Sequence, residues 1–118
     1  MSRDRKNFGD WGESQACMFL ERKGFSVLDR NYHTTAGEID IVAKKCDDFY
    51  FIEVKTRRAG ELANDLAVTK SKLYKLNKTV KQYCYRKNIT EGSTILASLL
   101  VVTDNIKKSV SFRLAVIY

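Results

Sequence analysis

The sequence has no proline, one histidine and only three cysteines. Without proline, chain reversals must be marked by glycine and by clusters of polar residues. The lone His33 has no second His or Cys placed as a co-ligand, so it reads as a surface residue in a polar loop. Cys17, Cys46 and Cys84 are odd in number and lack the paired spacing of metal ligands. That usage predicts reduced thiols in a cytoplasmic protein, with Cys17 and Cys84 packed in the core. Long apolar runs are missing as well. The longest, Ile95 to Val102, is far too short to span a bilayer, and no apolar stretch of signal-peptide length follows the charged start Met1 to Lys6. A membrane partner is therefore not expected, and there is no repeat, linker or low-complexity segment.

What is present in excess is positive charge. Lys and Arg number 21 against 14 Asp and Glu, a net charge of +7 over 118 residues. The length suits one domain spanning residues 1–118, and the charge suits a polyanionic partner such as nucleic acid.

The chain is organised around Gly37 to Thr56. Gly37 to Ala43 and Phe49 to Thr56 have the alternating or continuous apolar character of strands, and Lys44 to Asp48 has turn composition. This pattern predicts a β-hairpin. Side chains alternate along a strand, so Glu38 and Asp40 share a face, as do Glu53 and Lys55, while Ile39, Ile41, Ile52 and Val54 turn towards a core. Charges on such strands cost several kcal/mol unless paired or bound to a metal.

Around the hairpin, Asn7 to Lys23 reads as a helix, with Trp11, Gly12, Ala16, Phe19 and Leu20 at helical spacing and Gly24 as its stop. Glu13 shares the face of Ala16, Cys17 and Leu20. It either complements the dipole at the helix N-terminus or is an acid aimed at the strand cluster. Phe25 to Asn31 is a first strand, and Tyr32 to Ala36 a loop. A second helix spans Leu66 to Lys87, with Leu73, Leu76, Val80, Tyr83 and Cys84 on its apolar arc. Lys70, Lys75, Lys78, Lys81 and Arg86 fall opposite, Lys72 lies at the border, and no acidic residue occurs between Leu66 and Thr90. Such a face is either merely solvated or made for phosphates. Arg57 and Arg58 leave the end of the hairpin in a polar loop, a usual place for the rim of a site. Ile95 to Thr103 reads as a strand buried on both faces and Ser109 to Tyr118 as a closing strand. Short connections make the first three strands an antiparallel meander, and the long helix returns the fourth strand parallel to its neighbour. The fold class is α/β with mixed strand directions.

Hard divalent ions take oxygen ligands, often one or two carboxylates completed by water and substrate phosphate. Asp40 and Glu53, with the backbone carbonyl of Val54, can supply such a site for Mg²⁺ or Mn²⁺. Lys55 would then act on a water or on charge at phosphorus. The competing reading is an ion-pair network of Glu38, Asp40, Glu53 and Lys55, which leaves three acids facing one lysine.

An acid on one strand followed by Glu-x-Lys on the next resembles the PD-(D/E)xK signature of restriction-endonuclease-like nucleases. Gly12-Glu13-x-x-Ala16, Gly24-Phe25, Arg30-Asn31-Tyr32, Gly37-Glu38-Ile39-Asp40 and Glu53-Val54-Lys55-Thr56-Arg57 resemble the YraN-like family of bacterial proteins. Val68, Lys72 and Leu76 extend the likeness, which covers Gly9 to Tyr85. The resemblance implies an αβββαβ core and a Mg²⁺- or Mn²⁺-dependent endonuclease acting on DNA before RNA, including branched or recombination intermediates. By similarity to archaeal Holliday-junction resolvases it implies Glu13, Asp40, Glu53 and Lys55 as the site, Lys72 as a supporting base or phosphate contact, and a homodimer. The fourth strand lacks the charged residue many relatives carry, and the loop after Arg58 lacks their proline. The alternative reading is a nucleic-acid-binding module that keeps the fold without cleaving.

Overall fold

A computed structural model describes residues 3–61 and 69–117. In chain order the elements are α1 (Arg3–Arg22), β1 (Ser26–His33), β2 (Glu38–Lys45), β3 (Asp48–Arg58), α2 (Lys70–Arg86), β4 (Thr94–Asp104) and β5 (Ser109–Val116). The strands form one sheet in the order β1-β2-β3-β4-β5. β3 and β4 pair in parallel and every other pair is antiparallel, as the connection lengths predict. This is an α/β fold whose element order is compatible with a restriction-endonuclease-like core.

The helices cover opposite faces of the sheet, so the strands divide their apolar side chains between two cores. On the α1 side Ala16, Cys17 and Leu20 pack against Ile41, Ala43, Ile52, Leu99 and Val101. On the α2 side Val80 and Tyr83 pack against Ile39, Val42, Phe51 and Leu96. β4, flanked by β3 and β5, feeds both cores, which is why its middle is apolar on both faces apart from the buried Ser98. Cys17 is buried, Cys84 is half-buried against the α2-side core and Cys46 is exposed; all three are free thiols. Tyr83, a large side chain 2 % exposed, donates its hydroxyl to Asp29 Oδ2 at 2.6 Å and so ties α2 to β1.

Several boundaries differ from the sequence expectation. α1 begins at Arg3 rather than Asn7, because the charged first turn continues the helix without needing an apolar stripe. β1 runs on to His33, so His33 ends a strand instead of lying in a loop, and its Nδ1 lies 3.2 Å from Glu38 Oε2 on the surface. The hairpin turn is shorter than Lys44 to Asp48: Lys45 pairs with Asp48, and Cys46 takes a positive φ of 55°. α2 starts at Lys70 behind the N-cap Thr69, whose side chain accepts from the Lys72 N–H. The expected start at Leu66, like Val68 of the family likeness, lies outside the described residues.

The facing of Ile39 is also corrected. Strict alternation puts it with Ile41, yet Ile41 enters the α1-side core and Ile39 the α2-side core. Asn31 has a left-handed φ of 51° and sits between the Arg30–Ile41 and Tyr32–Ile39 pairs. Asparagine tolerates this region better than most residues. Tyr32 and Ile39 both join the α2-side core beyond this point. The β2–β3 ladder stops here too, at Ile41–Ile52, leaving a fork between the strands.

Candidate functional site

Asp40 stands in the fork. Its Oδ2 accepts the Val54 backbone N–H at 2.8 Å, standing in for the ladder partner that β2 no longer provides. Glu53 and Lys55 share the α2 side of β3, as strand alternation requires, and Lys55 Nζ lies 3.0 Å from Glu53 Oε1. α2 brings Lys72 to the same oxygen at 2.5 Å. The Glu53 side chain is only 18 % exposed, so solvent screens this bifurcated pairing weakly.

The electrostatics split the acids. Burial raises the pKa of Asp40; the Val54 N–H opposes this, and the neighbouring Glu53 and Glu38 carboxylates add to the rise while Lys55 moderates it. Burial also works against the Glu53 charge, but hydrogen bonds from Lys72 and Lys55 outweigh it and hold Glu53 below the ordinary carboxylate value. Burial likewise opposes the charge of Lys72, and Glu53 more than reverses that, raising the Lys72 pKa.

Glu13 approaches from the other face. It lies ten residues past the first residue of α1, which removes the helix-dipole reading: that effect fades within the first turn. Gly12 makes the approach close. A Cβ there would collide with the Thr56 side chain on β3, so only glycine lets α1 settle against that strand beside the fork. The Glu13 carboxyl is pushed upward by burial and then by Asp40, and its Oε1 is buried without a hydrogen-bond partner. Arg30, whose guanidinium reaches Ser14 Oγ at 3.4 Å, moderates the shift.

Two cavities meet at Asp40, Val54 and Lys55. One, of about 430 Å³, lies on the α2 side and includes Glu53, Lys72 and Lys75 above a floor of Ile39, Phe51, Leu96 and Ile117. The other, of about 680 Å³, lies on the α1 side with Glu13, Arg5, Arg57 and Arg58. Glu13, Asp40, Glu53, Lys55 and Lys72 are thus gathered around the fork, from two faces of one sheet. Glu38 is not part of a buried network: it lies at the rim of the α2-side cavity, exposed, with His33. The basic residues divide. Lys75 lines the α2-side cavity and Arg57 and Arg58 the α1-side one, while Lys70, Lys78 and Lys81 are exposed on α2 and line neither.

Among the described residues, no three His, Cys, Asp or Glu side chains converge as a metal cage. The donors that do converge are oxygen atoms: two carboxylates drawn together against their repulsion, and an unpartnered Glu13 oxygen nearby. Oxygen donors are the kind a hard divalent ion takes, and Asp40 and Glu53, with the Val54 carbonyl, are the residues that could hold one. Sequence reasoning missed Arg5 and Phe8 of the α1-side cavity. Their signal was the spacing Arg5, Phe8, Gly12, three and then four residues apart on one helical face.

Fold and site together define an α/β protein with a carboxylate–lysine centre at a fork in a mixed sheet. Residues 12–117 match the uncharacterised protein family UPF0102. A UPF0102 protein of Syntrophomonas wolfei is 42% identical over 79 residues, covering 66% of this chain and 69% of that protein. One from Campylobacter jejuni is 43% identical over 88 residues, 74% and 77% of the two chains. One from Roseiflexus castenholzii is 52% identical over 61 residues, 52% of this chain and 49% of the relative. The chain belongs to the UPF0102 family, the YraN-like proteins. No helix among the described residues is long and apolar enough to cross a membrane.

Proposed function

We propose that this protein is a metal-dependent endonuclease of the PD-(D/E)xK type, hydrolysing phosphodiester bonds in DNA. The observation that carries the reading is the Glu53 carboxylate clamped by Lys55 and Lys72 beside Asp40, at the meeting of two cavities. A structural ion pair needs one cation per acid. Here two lysines converge on one acid while its neighbour Asp40 stays charge-starved, an arrangement suited to a substrate that brings phosphate and a cation. Mg²⁺ or Mn²⁺ held by Asp40 and Glu53 would supply Lewis-acid activation and charge neutralisation.

The chain's own groups do the rest. Lys55 and Lys72 orient the Glu53 carboxylate and place positive charge where a phosphorane-like transition state gains negative charge. Glu13, with its raised pKa and unpartnered oxygen, is suited to accept a proton from water. Lys75 and the exposed lysines of α2 attract the phosphate backbone. Free thiols and the charge excess suit a cytoplasmic nucleic-acid enzyme, and paired cuts in a branched substrate would use two copies of the chain.

The test is cleavage of linear, flapped and four-way DNA and of structured RNA with Mg²⁺ or Mn²⁺, by wild type, Lys55→Ala and Lys55→Arg. Lys55→Ala is expected to bind DNA normally and cut about 10²-fold more slowly, the usual scale for a lost electrostatic stabiliser. Arg should not restore the rate, because its planar fork cannot replace a compact ammonium. Wild-type protein that binds every substrate and nicks none would make it a binding module instead.

A further inference from the structure

The α1-side groove carries features that the acidic centre does not use. The rings of Phe8 and Trp11 stack in parallel, 6.0 Å apart with 9° between their planes. The Arg58 guanidinium lies over Phe8, 4.3 Å from the ring centroid. Neither aromatic residue belongs to a hydrophobic core, and Trp11 is 37 % exposed. Among the described residues, Phe8, Arg57 and Arg58 line the same groove as Asp40 and Lys55, and Trp11 joins it through its stack on Phe8.

We infer that this groove takes a single nucleic-acid strand, with a base stacked on the Phe8–Trp11 pair and phosphates against Arg57 and Arg58. The inference rests on the nucleic-acid reading of the acidic centre. Exposed aromatic faces beside arginines are the recurring means of holding unpaired strands, because every base offers a flat face and every nucleotide a phosphate. In a duplex the base faces are already stacked and cannot reach such a platform. Glu61, whose carboxylate lies 3.8 Å from Arg58 on the surface, holds the place a phosphate would take. The strand then arrives at Asp40 and Lys55 already unpaired, so the preferred substrates are flaps, ends and junction arms.

Trp11 is the only tryptophan and stacks on Phe8 of the groove lining, so its emission reports on that aromatic pair. The full chain is titrated with a short oligothymidylate and with a blunt duplex in EDTA, where no cleavage occurs, following Trp11 emission and the anisotropy of labelled strands. Quenching by oligothymidylate and not by duplex is expected. Phe8→Leu keeps apolar bulk without a stacking face and should bind the oligonucleotide about tenfold more weakly, with Phe8→Tyr close to wild type. Glu61→Gln should tighten binding, since Arg58 loses its competitor. Unchanged Trp11 emission on binding, equal quenching by duplex, or wild-type affinity in Phe8→Leu would each overturn the inference, as would no binding at low salt. A failed hydrolytic reading looks different: quenching persists and no substrate is cut when Mn²⁺ is added.

Discussion

Asp40 Oδ2 holds the Val54 backbone N–H at 2.8 Å where the β2–β3 ladder has just ended at Ile41–Ile52. One carboxylate therefore caps the fork and lies beside Glu53, and these two roles can be separated by substitution. Asp40→Asn keeps an oxygen for the Val54 N–H and loses the charge that burial and Glu53 disfavour. It should fold at least as stably as wild type in urea, yet release no heat when Mn²⁺ is added in a calorimeter. Asp40→Ala orphans the part-buried N–H and should cost about 1–3 kcal/mol. Equal Mn²⁺ heats from Asp40→Asn and wild type would end the metal reading.

Glu13 gives a pH-dependent prediction. Its pKa in the fold is above the ordinary value, so the folded state favours the protonated form and loses stability as pH rises through that window. Glu13→Gln should melt at a higher temperature than wild type at neutral pH. The advantage should shrink as pH falls through the raised pKa and vanish below the ordinary carboxylate value. The same variant should cut at least about 10²-fold more slowly if Glu13 handles a proton. Parallel melting curves at all pH values would show that Glu13 is not held out of water.

Two glycines of α1 should respond oppositely to alanine. Gly12→Ala drives a methyl into Thr56 and should cost about 1–3 kcal/mol, as overpacking does, while displacing Glu13 from the fork. Adding Thr56→Ala should recover part of the loss, a non-additivity that a double-mutant cycle reads directly. Gly9→Ala meets nothing within 4 Å and should stabilise the helix by about 0.5–1 kcal/mol. Denaturant midpoints check all three.

The exposed lysines of α2 should act together on affinity and not on folding. Reversing Lys75, Lys78 and Lys81 to Glu removes phosphate contacts, so binding should weaken for every nucleic acid and its salt dependence should flatten. An unchanged slope of log K against log salt would mean that the face is only solvated. Melting should change little, because all three side chains are exposed.

The sequence by itself determined which elements form and which side chains share a strand face. Glu53 and Lys55 point the same way because strand geometry leaves them no choice, and a seventeen-residue helix between β3 and β4 permits their parallel pairing. The basic and apolar arcs of α2 follow from 3.6 residues per turn in the same way. Tertiary structure decided where those faces meet. The switch of Ile39 to the α2-side core at the left-handed Asn31 and the end of the ladder at Ile41–Ile52 both depend on how strands diverge under packing from both sides. So does the role of Glu13. Its helical face was legible, but its separation from the dipole and its nearness to Asp40 depend on where α1 begins and on the close seat Gly12 allows against Thr56. Periodicity is a property of the local backbone. The convergence of Glu13, Asp40, Glu53 and Lys72 is a property of long-range packing, which no local pattern encodes.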